Sequence, residues 1–185
     1  MRPLPRKFYS DDTVDVAKNL LGKILVRQIG EKTFSGIIIE TEAYRFNDDP
    51  ASHAFRGMTE RNKAMFGEVG RAYVYFTYGM YYCVNAVARN DNYDAGAVLI
   101  RAIKPVQGLD HMIKNRKNKK IEELTNGPAK LTQALKITKK QYGVDLTKKS
   151  ELFISDTQND CKVYSSHRIG IRNGLDKKWN FKINL

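Results

Sequence analysis

The sequence predicts an α+β fold: a single domain over residues 1–185 built on a mainly antiparallel sheet with flanking helices. Three observations predict it. Strand-like segments outnumber helical ones, the strand candidates are joined by short local turns, and 185 residues suit one hydrophobic core. With 42% hydrophobic and 28% charged residues, the chain can fill that core without disulfides or metals.

The elements follow in order. Ser10 or Asp11 caps a short helix whose apolar positions Val14, Ala17, Leu20 and Leu21 share a helical face, and Gly22 ends it. Residues 23–29 read as a strand, 30–32 as a turn, and 34–44 as a second strand rich in β-branched residues. Residues 47–50 break it, and the polar, glycine-punctuated stretch 56–70 reads as a long ordered loop. Residues 72–76 and 81–88 form two strands around a turn at 77–80. After a turn at 90–94, residues 97–103 form another strand. Pro105 suits the first turn of a helix carrying Leu109, Met112, Ile113 and Arg116. Residues 114–120 hold five basic side chains in seven, a helix end or loop. Asn126-Gly127-Pro128 opens a further helix with Leu131, Ala134 and Leu135 on one face. Trp179, Phe181, Ile183 and Leu185 alternate as a closing strand.

Composition narrows the function. Lysine and arginine total 32 against 20 acids, a net charge of +12. That excess favours a polyanion, nucleic acid before an anionic membrane, with a merely solvated basic surface as the plainer alternative. Two cysteines, Cys83 and Cys161, without a C-x-x-C pair exclude a disulfide scaffold and a zinc finger; Cys83 reads as core. His53, His111 and His167 show no zinc-protease spacing, so no catalytic metal is expected. The charge-free run 72–88 approaches the length of a membrane span. Tyrosines spread along it and Gly79 at its centre favour paired strands instead. No apolar stretch of signal-peptide length stands at the N-terminus. The reading is a soluble cytoplasmic protein, nucleoid-associated if prokaryotic.

The strand 34–44 carries the chemistry. Alternation places Phe34, Ile38, Glu40, Glu42 and Tyr44 on one face, with Ile37, Ile39, Thr41 and Ala43 on the other. A carboxylate at the end of a buried strand is costly unless paired or used. Arg101 is the matching oddity, a lone cation in an apolar strand, and Glu42 or Glu40 is its natural anion. Such a pair keeps a glutamate ionised, as a general base requires; a purely structural salt bridge is the alternative. Glutamates at i and i+2 on a strand lie roughly 6–7 Å apart, near the spacing of an inverting glycoside hydrolase, a rival that the basic charge disfavours. Glu40, Glu42, Asp48, Asp49 and His53 form a weak candidate magnesium set. Tyr44, His53, Tyr73, Tyr75, Tyr78, Tyr81 and Tyr82 concentrate amphipathic rings nearby. In a basic protein such rings stack on extruded bases, though core packing accounts for part of them. Tyr78, at the tip of a tight hairpin, is placed to wedge into a minor groove.

These residues resemble a known family. Glu40-Thr41-Glu42-Ala43-Tyr44, His53, Arg61-Asn62, Met65-Phe66, Tyr73-Val74-Tyr75 and Tyr78-Gly79-Met80-Tyr81 with Asn85 follow the order found in the alkyladenine (methylpurine) DNA glycosylases. So do the apolar strand ending in Arg101, the helix start Gly127-Pro128-Ala129-Lys130-Leu131, Arg168-Ile169-Gly170, and the opening helix ending Leu20-Leu21-Gly22. The similarity runs from about Phe8 to the C-terminus. It implies a curved antiparallel sheet with a protruding hairpin that inserts into DNA, and a monofunctional enzyme without cofactors. The substrate would be double-stranded DNA containing alkylated or deaminated purines such as 3-methyladenine or hypoxanthine, bound by a monomer.

Carried onto this chain, the resemblance makes Glu42 the base that activates water, helped by Arg101 and the main-chain carbonyl of Ile169. Tyr44, His53 and Tyr75 would sandwich the flipped base, with Asn85 and Leu99 bordering it. Tyr78 would fill the vacated stack, and Thr59, Arg61, Met80, Lys130, Lys139 and Gly170 would lie near the DNA backbone. The chain departs from the family at Met58, where a basic residue is common, and at Glu60, where proline is common. Near the end, Lys177-Lys178-Trp179-Asn180-Phe181 replaces a version with proline and arginine. A non-catalytic nucleic-acid-binding module is the alternative function; it explains charge and rings but not Glu42 with Arg101.

Overall fold

The computed structural model describes residues 1–118, 120–157 and 161–185, so Lys119 of the basic run lies outside the described residues. Among the described residues, eight strands form a curved antiparallel sheet: β1 (Ile24–Ile29), β2 (Lys32–Tyr44), β3 (Ala72–Thr77), β4 (Tyr81–Val87), β5 (Ala97–Gln107), β6 (Leu152–Ser155), β7 (Tyr164–Ser166) and β8 (Asn180–Lys182). Their order is β3-β4-β5-β2-β1-β6, with β8 joining β2 to β7. The long β2 organises the sheet. It pairs with β5 along one edge; along the other it pairs first with β1 and then, over residues 40–42, with β8.

Three helices cover one face: α1 (Thr13–Asn19), α2 (Leu109–Arg116) and α3 (Pro128–Ala134). The cap of α1 is Asp12, not Ser10 or Asp11, because its carboxylate reaches the Val14 amide at 2.8 Å. Gly22 adopts the left-handed conformation that ends this segment. Proline at the start of α3 costs no helical hydrogen bond, and Leu131, Ala134 and Leu135 point into the core as expected. There they meet Val16 and Ala17 of α1, Leu20 just after it, Met112 of α2, and Val74, Val84, Ala86, Val98 and Ile100 of the sheet. Burying each such large aliphatic side chain stabilises the fold by about 1.5–3 kcal/mol.

The other face of the sheet carries a second cluster. Period-2 alternation sends Tyr73, Val87 and Ala97 there, against Ala54 and Met65 of the 51–66 loop. The sheet is therefore sandwiched between the helices and that loop, and the loop side is where a cavity opens.

Several sequence expectations are corrected. Pro105 does not begin a helix: β5 runs on through Gln107, and Gly108, at a positive φ, precedes α2. A register shift opposite Pro105 accommodates its missing N–H. The closing strand is confined to Asn180–Lys182, and the short β6 and β7 carry too few residues for a periodic signal. Strict alternation along β2 also fails. Ile38 and Ala43 both enter the main core although they are five positions apart, an odd spacing that strict alternation would send to opposite faces. Register shifts on both sides of Glu40 reverse the faces. Ile38 therefore faces the helices, while Glu42 and Tyr44 turn toward the cavity side.

The hairpin of β3 and β4 forms as expected. Tyr78 and Gly79 both have positive φ, and the Met80 amide bonds the Thr77 carbonyl at 3.3 Å, the tight turn that suits twisted strands. Tyr78 is 83% exposed at its tip, flanked by exposed Met80 and Phe76. Among the described residues, no helix is long and apolar enough to cross a membrane.

Candidate active site

The cavity on the loop side encloses about 340 Å³, at the lower end of the range for small-molecule sites. Its wall gathers the expected Tyr44, His53, Tyr75, Tyr78, Asn85, Leu99, Arg101, Ile169, Gly170 and Arg61. Alternation explains the assembly. Tyr73 and Tyr75 share the cavity face of β3, Cys83 and Asn85 that of β4, and Leu99 and Arg101 that of β5. Cys83 is thus part of the wall, not merely core.

The rings lock together edge to face. His53 stands 4.7 Å from Tyr75 at 82°, and its Nδ1 lies 2.9 Å from the Tyr73 hydroxyl. Removal from water among these rings, with the Arg61 charge nearby, pulls the His53 imidazole down to about 4. The ring is therefore neutral at pH 7. Burial also raises Tyr44 and Tyr75 far above the usual phenol range, so both hydroxyls keep their protons. Asn85 is fixed by donating to the Tyr73 carbonyl at 2.9 Å.

Behind this wall lies Glu42, 0% exposed. Burying a lone carboxylate would be prohibitive, and the structure supplies four donors. Oε1 accepts from the Ile169 amide at 2.7 Å and from Asn180 Nδ2 at 3.0 Å. Oε2 accepts from the Tyr44 hydroxyl at 2.7 Å and from Arg101 Nη1 at 3.3 Å. Arg101 also donates from Nε to Glu40 at 3.0 Å. The expected ion pair therefore involves both glutamates. Burial works against the Arg101 charge, but Glu42 and Glu40 outweigh it and hold the guanidinium above its ordinary value. Three of the four donors to Glu42 line the cavity, so its carboxylate is one side chain away from any occupant.

The two rival uses of these acids do not assemble. Glu40 and Glu42 stand side by side, bridged by Arg101 and Asn180, and do not face each other across a cleft as a glycoside hydrolase requires. Asp48 is committed to Arg45, and Asp49 to Arg168. Among the described residues, no group of three side chains could hold a metal ion.

The remaining candidates make no hydrogen bond to the carboxylate. Thr59, Met80, Lys139 and Gly170 are exposed, and half-buried Lys130 bonds Asn126 at 2.8 Å. Arg61 bonds the Phe76 carbonyl at 3.2 Å and lies 5.4 Å from the Tyr75 ring centre, so it braces the hairpin base. Glu60 is paired with Lys63 at 2.8 Å, which offsets the acid that departs from the family pattern.

Sequence reasoning missed a buried clamp. Arg168 and Asp49, both 0% exposed at the side chain, form a two-pronged pair with both bonds at 2.6 Å. Arg168 also donates to the Ala43 carbonyl at 2.9 Å and lies 4.8 Å from the Tyr44 ring centre. It joins the segment bearing Ile169 to the strand bearing Glu42. Asn180 was missed as well.

A family model described as methylpurine-DNA glycosylase matches residues 7–185. The chain belongs to that family. It is a DNA N-glycosylase, and DNA is its substrate. Relatives assigned the name 3-methyladenine DNA glycosylase agree. One from Carboxydothermus hydrogenoformans is 48% identical over 180 residues, covering 96% of this chain and 93% of its own. Another from Clostridium botulinum is 44% identical over 192 residues, covering 97% and 95%. A third, from Methanocella arvoryzae, is 46% identical over 172 residues, covering 92% and 86%. In this glycosylase the wall of the ringed cavity includes Tyr78 of the hairpin tip, and the buried Glu42 carboxylate lies behind it.

Proposed function

We propose that this glycosylase excises alkylated purines such as 3-methyladenine, and deaminated ones such as hypoxanthine, from duplex DNA by direct hydrolysis. The observation that carries the reading is the four-donor Glu42 carboxylate directly behind a cavity walled by Tyr44, His53 and Tyr75. The damaged nucleotide rotates out of the helix at a cost of a few kcal/mol. Stacking on the rings returns about 1–3 kcal/mol per base. Asn85 and Leu99 border the base and reject normal purines by shape and polarity.

A water molecule enters beside Oε2, displacing the longest of the four bonds, that from Arg101 at 3.3 Å. Arg101 and the main-chain carbonyl of Ile169 hold it. Glu42 takes its proton while the oxygen bonds to the sugar C1′. The N-glycosidic bond breaks, and its electron pair leaves with the base. An alkylated purine bearing a positive charge departs as a neutral molecule, so selectivity follows leaving-group quality as well as fit. Among the described residues no lysine lines the cavity, which favours water over an amine nucleophile. Thr59, Arg61, Met80, Lys130, Lys139 and Gly170 meet the backbone, and the monomer works wherever it meets DNA in the cytoplasm.

The test is a duplex with one 3-methyladenine or hypoxanthine. Free base and an unbroken abasic strand are expected, with no adduct trapped by borohydride. A trapped adduct would overturn the water mechanism, and release of neither base would overturn the substrate assignment.

Tyr78 fills the gap left in the stack. In Tyr78→Ala, excision from duplex should fall about tenfold or more while the melting temperature changes little, because a ring 83% exposed buries little area. A large loss of stability with unchanged excision would show that the ring serves packing instead.

A further inference from the structure

Three strands place three polar side chains in one cross-strand row beneath the cavity. Glu42 on β2 stands opposite Asn180 on β8, and Asn180 stands opposite Ser166 on β7. Asn180 is 0% exposed. Its Nδ2 donates to Glu40 Oε1 at 2.7 Å and to Glu42 Oε1 at 3.0 Å. Its Oδ1 accepts from the Ser166 hydroxyl at 3.1 Å. The opposite amide orientation would set Oδ1 against two carboxylates, so charge and the serine select the same one.

We propose that Asn180, oriented by Ser166, is a positioning residue for base excision. It fixes Oε1 of Glu42 so that Oε2 is the atom that takes the proton from water. The inference rests on Glu42 being the general base. Its two oxygens have unlike partners. Oε1 is held by Asn180 and by a main-chain amide, neither of which moves without disturbing the sheet or the 168–174 segment. Oε2 is held by Tyr44 and Arg101, both on the cavity wall. Asn180 is also neutral. A second cation in its place would weaken the carboxylate as a proton acceptor, whereas an amide orients it at smaller electrostatic cost. With one hydrogen for each glutamate, the same amide sets the spacing of two like charges.

The experiment compares Asn180→Leu and Ser166→Ala with the parent in single-turnover excision between pH 5 and 9. Affinity for a duplex holding an abasic analogue is measured alongside. The groups that face Glu42 are Arg101 from β5, Tyr44 and Glu40 from β2, Cys83 from β4 and the Ile169 amide. Arg168 lies behind Tyr44, and Lys182 lies on Glu40. Both substitutions leave these unchanged. Asn180→Leu should slow excision about tenfold at pH 7, the scale of one hydrogen bond to a charged group. Affinity for the abasic duplex should stay within about twofold, so the loss falls on the chemical step. Ser166→Ala should change the rate about threefold in the same direction.

A parental rate, or a deficit matched by an equal loss of affinity, would overturn the proposal and leave Asn180 a packing residue. If Asn180→Leu does not fold by circular dichroism, Ser166→Ala at the exposed β7 decides; a parental excision rate there overturns the proposal. Glu42→Gln run in parallel separates the two ideas, since retained activity in that variant would sink the general base itself.

Discussion

Glu42→Gln should lower single-turnover excision by at least ~10²-fold, the scale of general-base catalysis, with abasic-duplex affinity retained. The side chain keeps its size, so the cavity wall and the exposed hairpin are untouched. What changes is the hydrogen-bond sense. Each oxygen of Glu42 accepts from two donors. An amide nitrogen at either position meets donors where it needs acceptors. The Tyr44 hydroxyl can rotate to accept, so the amide should settle at the Oε2 position, beside Arg101. The variant should therefore fold with a modest loss of stability, about 1–3 kcal/mol for one mismatched buried group. It cannot take a proton from water. Glu40→Gln should cost far less, because Glu40 contacts Arg101, Asn180 and Lys182 rather than the cavity-wall donors Tyr44 and Ile169. Near-parental turnover in Glu42→Gln, or a larger loss in Glu40→Gln, would move the base to the other carboxylate.

How much of this was legible in the sequence depended on the range of the contact. A cation inside an apolar strand must find an anion, and that cost alone leads from Arg101 to the two glutamates. Strand alternation likewise put Glu42 and Tyr44 on one face, and the tight hairpin placed Tyr78 at a tip. The bulge around Glu40 was not legible. It is set by pairing with β5 and β8, and nothing in the residues 38–40 marks it. The resemblance supplied Ile169, but not the way its amide reaches Glu42. Asn180 and Arg168 were hidden for the same reason: their partners lie more than 100 residues away in sequence. Asn180 sits in a strand of three residues, too short to show periodicity. Arg168 read as part of a motif, and Asp49 as a weak metal ligand. Only the fold shows that each is the other's counter-charge.

That pair gives the largest expected effect on stability. Asp49→Ala should destabilise the protein by about 3–5 kcal/mol, because it leaves a guanidinium buried without its anion. For a chain of this size the melting temperature should drop by roughly 6–20 °C. Arg168 already has its Nε buried without a partner, so Asp49 supplies the charge balance and the Ala43 and Gly174 carbonyls supply the remaining acceptors. The loss should reach the active site as well, since Arg168 immediately precedes Ile169, whose amide binds Glu42, and underlies the Tyr44 ring. Replacing both partners by apolar residues, Asp49→Leu with Arg168→Met, removes the stranded charge and should recover at least half of the lost stability. It should not recover excision to the same extent, because the tie from Ala43 to the 168–174 segment is gone and the Ile169 amide is free to drift from Glu42. Thermal melts and single-turnover rates on the same three proteins would check this. An Asp49→Ala variant as stable as the parent would show that water reaches Arg168, and a double variant with parental excision would show that the clamp stabilises the fold without positioning the carboxylate.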